Sequence, residues 1–322
     1  MKLSVALCSY NGSKYIEEQL VSILHQTIPV DEICLSDDAS VDNTISIVEK
    51  VALTTSIPIR VVKNAKNKGF YNNFIDTIKR CTGDIIFLSD QDDIWHNDKV
   101  EKIVAYFRNN PTKSVFFSNG ELIDGNGMVL KENMFENVGF DGLKQKNFYG
   151  SFAMDIIAWG NRITGATMAV KRDWISTIDF QNENFQKNKL HDLQLALLGI
   201  VNENIGFTTE SLIQYRLHGN NTIGLYKNHP ANIYYPYYVP SHLYWDWESF
   251  LPIKWQKQCA FRRRRVFYER FMFGIHVCTH IFEYLYYYKR KWYIAFYYDL
   301  KMSMLHSFTR IKNKFSAKTK HD

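Results

Sequence analysis

The chain has 322 residues, 46% apolar and 22% charged with an aromatic share of 15%, enough for one large α/β domain or a domain plus an appendage. Its five cysteines (Cys8, Cys34, Cys81, Cys259, Cys278) show no paired or metal-like spacing, which points to reduced thiols rather than a disulfide framework. Met1–Leu7 is too short for the apolar core of a signal peptide, and the sequence lacks the run of about 18 uncharged apolar residues that a membrane span needs. The net charge of +6 is uneven: from Lys254 onward 16 basic and 4 acidic residues give +12, leaving 23 basic and 29 acidic residues, −6, for the body.

Leu3 to Leu7 reads as a buried strand, followed by the loop Cys8-Ser9-Tyr10-Asn11-Gly12. A helix then repeats Ile16, Leu20, Ile23 and Leu24 on one face, and Pro29 stops it. A second strand from Glu32 to Leu35 ends in Ser36-Asp37-Asp38-Ala39-Ser40. The next helix opens near Asp42-Asn43-Thr44 and carries Ile45, Val48 and Val51. Ile57 to Val62 makes a third strand, followed by Asn64-Ala65-Lys66-Asn67-Lys68-Gly69-Phe70 and a helix through Phe74 and Ile78. Ile85 to Leu88, four apolar residues in a row, is a fourth strand that breaks off into Ser89-Asp90-Gln91-Asp92-Asp93-Ile94-Trp95.

This alternation predicts a parallel, doubly wound α/β sheet whose polar and acidic strand ends open onto one edge, where such sheets bind ligands. Three acids within four positions repel one another unless a cation shares them, and oxygen ligands suit Mg²⁺ or Mn²⁺. The same residues also read as a solvated turn before a helix, with Asp93 or Asn97 as its cap. The first loop lacks G-x-G-x-x-G, and G-x-x-x-x-G-K-[ST] is absent throughout. A phosphate bound here would therefore depend on a metal at the acids, not on a glycine cradle.

Cys-Ser-Tyr-Asn-Gly, Ser-Asp-Asp-Ala-Ser-Val-Asp-Asn-Thr, Asn-Lys-Gly-Phe and Ser-Asp-Gln-Asp-Asp-Ile-Trp, in this order, resemble family 2 glycosyltransferases over roughly residues 1–225. The resemblance implies an inverting enzyme of the GT-A fold that uses a nucleotide-diphosphate sugar. It implies that Tyr10, Asn11, Asp37 and Asp38 surround the nucleoside, with Asn67 and Gly69 near the nucleotide. Asn67 and Gly69 also read as a turn needing positive φ. Asp90 opens the acidic motif, and Asp92 and Asp93 are the implied ligands of a divalent Mn²⁺ or Mg²⁺.

Ser114–Phe117 reads as a strand and Asp124-Gly125-Asn126-Gly127 as a tight turn. Ser118-Asn119 stands where the family commonly has Ser-Asp. Thr164-Gly165-Ala166-Thr167 resembles the Gly-x-Thr segment near donor sugar and acceptor, and also reads as a small-residue strand under a helix. His191-Asp192 opens an apolar helix; there the resemblance implies that Asp192 is the catalytic base, although an Asp at a helix start also serves as a cap. Leu193 and Gln194 replace the aromatics usual after it. Gln214-Tyr215-Arg216-Leu217-His218-Gly219 resembles a Tyr-Arg-x-His segment closing the site, with Arg216 and His218 as partners of diphosphate or metal, or as a basic loop.

After about residue 230 the texture changes to tyrosines, tryptophans and Arg262-Arg263-Arg264-Arg265, with Phe271, Ile275, Cys278, Phe282 and Leu285 in one helical stripe. Residues 226–322 thus form a basic, aromatic, mainly helical region that suits an anionic membrane surface or a helical appendage packed on the catalytic domain. Nucleic acid is not an expected partner, since no recognised module accompanies the arginines. The motif wording most resembles bacterial rhamnosyltransferases of surface-polysaccharide synthesis. That implies a dTDP-rhamnose donor, a lipid-linked glycan acceptor, and a peripheral place on the cytoplasmic face of the plasma membrane. A UDP-sugar donor, a nucleotide-sugar-binding protein without catalysis, and a nucleotidyltransferase are the competing readings; the last is disfavoured by the absence of a Gly-rich basic loop near the start.

Overall fold

The computed structural model describes residues 1–149, 153, 162–181 and 190–218. Among these, nine strands form one sheet in the order β3-β2-β1-β4-β8-β6-β9-β5, with β7 paired on β6. The predicted first half is as expected: β1 (Leu3–Ser9), β2 (Glu32–Asp37), β3 (Ile59–Lys63) and β4 (Ile85–Ser89) alternate with α1 (Ile16–Leu24), α2 (Thr44–Ala52) and α3 (Phe70–Arg80). These four strands are mutually parallel, and pairing of Ser9 with Asp37 and of Leu7 with Ser89 brings their carboxyl ends abreast.

Strands β1, β2 and β4 are buried along their whole length because helices cover both faces of the sheet. Leu3, Val5, Leu7, Ile33, Leu35 and Phe87 share a core with Ile16, Leu20 and Ile23 of α1, Val48 of α2 and Val100 and Ile103 of α4 (Lys99–Asn109). The alternate side chains face α3, as the contact of Cys8 Sγ with Thr77 Oγ1 at 3.4 Å records. Full burial of each such apolar side chain contributes about 1.5–3 kcal/mol. Helix α1 ends at Leu24, five residues before Pro29, so the proline lies in the connection and does not terminate the helix itself.

The second half departs from simple winding. β6 (Val115–Asp124) and β9 (Ile205–Leu217) run parallel to each other, while β8 (Met168–Lys171) lies antiparallel between β4 and β6. Ile94-Trp95, within the acidic motif, forms a short strand β5 antiparallel to Ile213 and Gln214 of β9. β7 (Val129–Asn133) returns from the predicted Asp124–Gly127 turn, whose Gly127 takes φ 84°. Six strands (β1, β2, β3, β4, β6, β9) therefore run one way and three (β5, β7, β8) the other.

Asn119, standing where an Asp was expected, is a structural residue here. Its Oδ1 accepts from Phe135 N–H (3.0 Å) and its Nδ2 donates to the Thr209 carbonyl (3.3 Å). No helix of the described residues is long and apolar enough to cross a membrane. The aromatic, basic region from residue 226 lies outside the described residues.

Candidate active site

At the carboxyl edge the loop after β1 is clasped by the loop after β2. Asn11, at φ 49°, donates its N–H to Ser40 Oγ and accepts from Val41 N–H through its own Oδ1. Gly12 N–H donates to Thr44 Oγ1. Asp37 accepts from Ser9 Oγ and from Ser40 N–H and Oγ, so it locks two strand ends together. Ala39, just beyond, sits at φ 65°, a conformation that costs an L-residue about 1–2 kcal/mol and is held here by those flanking bonds. Asp38 accepts from Asn64 Nδ2, Lys68 N–H and Gly69 N–H (3.0, 2.8 and 2.9 Å).

Asp37 and Asp38 are thus buried organisers of the loops, with their carboxylates engaged by the protein itself. Asn67 Oδ1 accepts from Gly69 N–H, and Gly69 takes φ 80° at the start of α3; the turn reading of these two residues is what their geometry expresses. Tyr10 differs: its side chain is 49% exposed at the edge, while its backbone N–H and C=O pair with the Gln91 amide (2.8 and 3.0 Å). Its ring is available to stack on a planar ligand.

The acidic turn is more tightly built than a solvated loop. Asp93 is buried; its Oδ1 accepts Arg216 N–H at 3.0 Å, and its Oδ2 has no hydrogen-bond partner among the described residues. Neither Asp93 nor Asn97 caps the following helix, whose N-cap is Asp98. Beneath the turn lies Lys99, fully buried, donating to the Ala166 carbonyl at 3.0 Å and standing 3.8 Å over the Trp95 ring.

Burial, then the charges of Asp92 and Asp192, pushes half-buried Asp90 up to about 7, against the opposing pull of Lys99. Burial, then Asp92 and Asp90, likewise raises Asp93, and burial brings Lys99 down to about 7. The attraction between Lys99 and the acids would move each of them the other way, so desolvation outweighs it. Sequence reasoning missed Lys99. Its only local signal is a cation at the first position of a helix, where the dipole disfavours positive charge.

Asp92 and His218 complete this corner. Asp92 Oδ2 and His218 Nε2 lie 2.8 Å apart, each side chain 14% exposed. Arg216, read in the sequence as a partner of diphosphate or metal or as part of a basic loop, is buried, donating from Nε to the Asp92 carbonyl and ion-paired with Glu18 of α1.

The facing wall carries the other predicted residues. Gly165 begins a 3-10 turn (Gly165–Thr167) leading into β8, so the strand of this segment starts only at Met168. A Cβ at Gly165 would stand 2.8 Å from His191 Nε2 and 3.7 Å from Asp192 Cβ, so only glycine admits this approach. His191 is buried and stacked on Phe74 (4.2 Å, 19°); burial lowers its pKa and keeps it neutral. Asp192 lies in the first turn of the helix His191–Val201, partly exposed, with Oδ1 accepting its neighbour Leu193 N–H at 2.7 Å. Its charge reaches Asp90 and Tyr215, which places it on the same edge as the acidic turn.

The groups present fit a divalent cation. Among the described residues no set of three or more His, Cys, Asp or Glu forms a ready cage. Magnesium-type sites, however, take one or two protein groups and complete their shell with substrate phosphates and water. The converging oxygen and nitrogen of Asp92 and His218, beside an orphaned buried carboxylate oxygen and acids that resist ionising alone, match that requirement.

The sequence profile described as Glycosyl transferase family 2 matches residues 4–179. An uncharacterised glycosyltransferase of Haemophilus influenzae is 27% identical over 242 residues, covering 71% of this chain and 69% of that protein. A dTDP-rhamnosyl transferase of Shigella flexneri is 39% identical over 102 residues, 30% of this chain and 35% of that one. Among solved structures, S. aureus TarS 1-349 in complex with UDP-GlcNAc superposes with a TM-score of 0.51 at 18% identity, covering 77% of this chain and 65% of the other. These likenesses agree with a GT-A-type α/β fold.

Proposed function

The chain belongs to glycosyl transferase family 2, and from that premise we propose that it transfers a sugar from a nucleoside-diphosphate donor to a glycan hydroxyl with inversion at the anomeric carbon. The observation that carries this reading is the meeting at one sheet edge of the Asp92–His218 pair and Asp192, with Gly165 packed against the latter.

In this reading the exposed Tyr10 ring stacks on the nucleobase, and Asp92 and His218 hold Mn²⁺ or Mg²⁺, with Asp93 behind them. When bound, the cation neutralises charge that develops on the diphosphate. Asp192 accepts the proton of the acceptor hydroxyl as its oxygen bonds to the anomeric carbon. The bond from that carbon to the phosphate oxygen breaks on the opposite face, and the nucleoside diphosphate leaves with the electron pair. One base suffices, and no covalent intermediate is required.

The local 39% identity to a dTDP-rhamnosyl transferase favours dTDP-rhamnose as donor. The donor is read from thermal melts with dTDP, UDP or GDP, each with and without Mn²⁺. At about 100 Kd a ligand adds about 2.7 kcal/mol, roughly 5–10 °C for a domain of this size. One nucleotide should give such a rise only with Mn²⁺, and Asp92→Asn should lose it. Silence from all three nucleotides would sink the donor reading.

The +12 tail fits an anionic bilayer carrying a lipid-linked acceptor. Deleting residues from about 254 onward should reduce co-sedimentation with anionic liposomes and leave the nucleotide-dependent melt unchanged. Equal co-sedimentation of the full and shortened chains would rule the membrane role out.

A further inference from the structure

Arg216 has an environment unlike that of a ligand-binding arginine. Its side chain is 2% exposed, and protein groups surround it. The backbone N–H donates to Asp93 Oδ1 (3.0 Å), Nε to the Asp92 carbonyl (2.8 Å) and Nη1 to the Asp124 carbonyl (3.5 Å), while Nη2 pairs with Glu18 at 2.5 Å. The guanidinium also lies 4.6 Å over the Tyr15 ring. That ring contacts His218 as well, with centroids 5.1 Å apart, and the Tyr15 hydroxyl donates to the Gly125 carbonyl at 3.3 Å.

The backbone N–H, Nε and Tyr15 contacts lead to groups that set the acidic corner. The Nε and backbone bonds fix the peptide of Asp92 and the carboxylate of Asp93. Tyr15 fixes the ring of His218 from the side, and Glu18 supplies the charge that keeps the guanidinium buried. Turning Arg216 toward a diphosphate would break these bonds together and strip Asp92-Asp93 of its support.

We propose that Arg216 is a positioning residue and not a diphosphate ligand: with Glu18 and Tyr15 it forms a latch from α1 to the end of β9 that holds Asp92 and His218 in the geometry a divalent cation needs. This deepens the donor-site reading above and rests on it for the cation.

Glu18 is the cleanest handle, because its side chain is 54% exposed and lies outside the site. Groups that orient metal ligands typically change affinity by about 10–100-fold when removed. Mn²⁺ binding to the full chain, followed by the electron paramagnetic resonance of free Mn²⁺, should weaken at least about 10-fold in Glu18→Ala and Glu18→Gln, with partial recovery in Glu18→Asp. At saturating Mn²⁺, binding of the nucleotide picked out by the melts should stay at the wild-type value in the same variants.

Arg216→Met should show the same split. Should that variant fail to fold, the Glu18 series decides alone. Unchanged Mn²⁺ affinity in Glu18→Ala overturns the latch, as does an Arg216→Met chain that keeps Mn²⁺ but loses nucleotide binding at saturating Mn²⁺. Wild-type protein that binds a nucleotide but no Mn²⁺ also overturns it and leaves the nucleotide site in place. Wild-type protein that binds Mn²⁺ but no nucleotide overturns the donor reading instead, and the Glu18 series still judges the latch.

Discussion

Asp192→Asn is expected to lower sugar transfer by about 10²–10⁴-fold, the usual worth of a positioned general base, while the metal-dependent nucleotide melt stays as in wild type. The substitution keeps the shape of the side chain, and an amide oxygen can still accept Leu193 N–H, so the first turn of its helix should survive. What disappears is the capacity to take a proton. His191, one residue away, does not replace it, being buried against Phe74 and kept neutral there by desolvation. Single-turnover transfer with the donor identified by the melts is the measurement. A variant that turns over at the wild-type rate would remove Asp192 from the mechanism. Wild-type protein that binds donor and acceptor yet transfers nothing would favour a binding protein instead.

The part of the molecule that was legible in the sequence is the part whose signals are local. β1 to β4 announce themselves as short apolar runs ending in polar residues, and α1 to α3 as helical repeats, so the parallel half-sheet and its acidic edge follow from spacing alone. Residue types also identified the Asp90–Asp93 turn, and the family resemblance Tyr10, as surfaces of interest. The remainder depended on contacts between distant segments. Ile94-Trp95 is a strand only because β9 arrives beside it, more than a hundred residues later. Arg216 looks like a ligand-binding cation until Glu18 and the Asp92 carbonyl are seen around it. Asp37 and Asp38 are donor-site acids by the family resemblance; the bonds of their carboxylates to Ser9, Ser40, Asn64 and the backbone N–H groups of Ser40, Lys68 and Gly69 have no local signal. Burial of a charged side chain has no signature in composition or period, and its partners come from other elements.

Lys99→Met is the substitution that tests this lesson hardest, with an expected loss of about 3–5 kcal/mol of stability in the presence of a chelator. The ammonium is fully buried, bonded to the Ala166 carbonyl and stacked over Trp95, and its charge acts on Asp90 and Asp93. Removing it leaves a carbonyl without its donor, and buried Asp93 and half-buried Asp90 without their cation, the situation in which a broken buried pair costs most. Methionine fills nearly the same volume, so a purely space-filling lysine would predict a change below about 1.5 kcal/mol. Urea denaturation separates the two. The variant should also gain more from Mn²⁺ than wild type does, because a cation between Asp92 and His218 supplies positive charge to the same acids. An equal Mn²⁺ gain in both proteins would mean that Lys99 serves Ala166 and the Gly165 turn, and not the acids, which would tie it to the acceptor wall of the site.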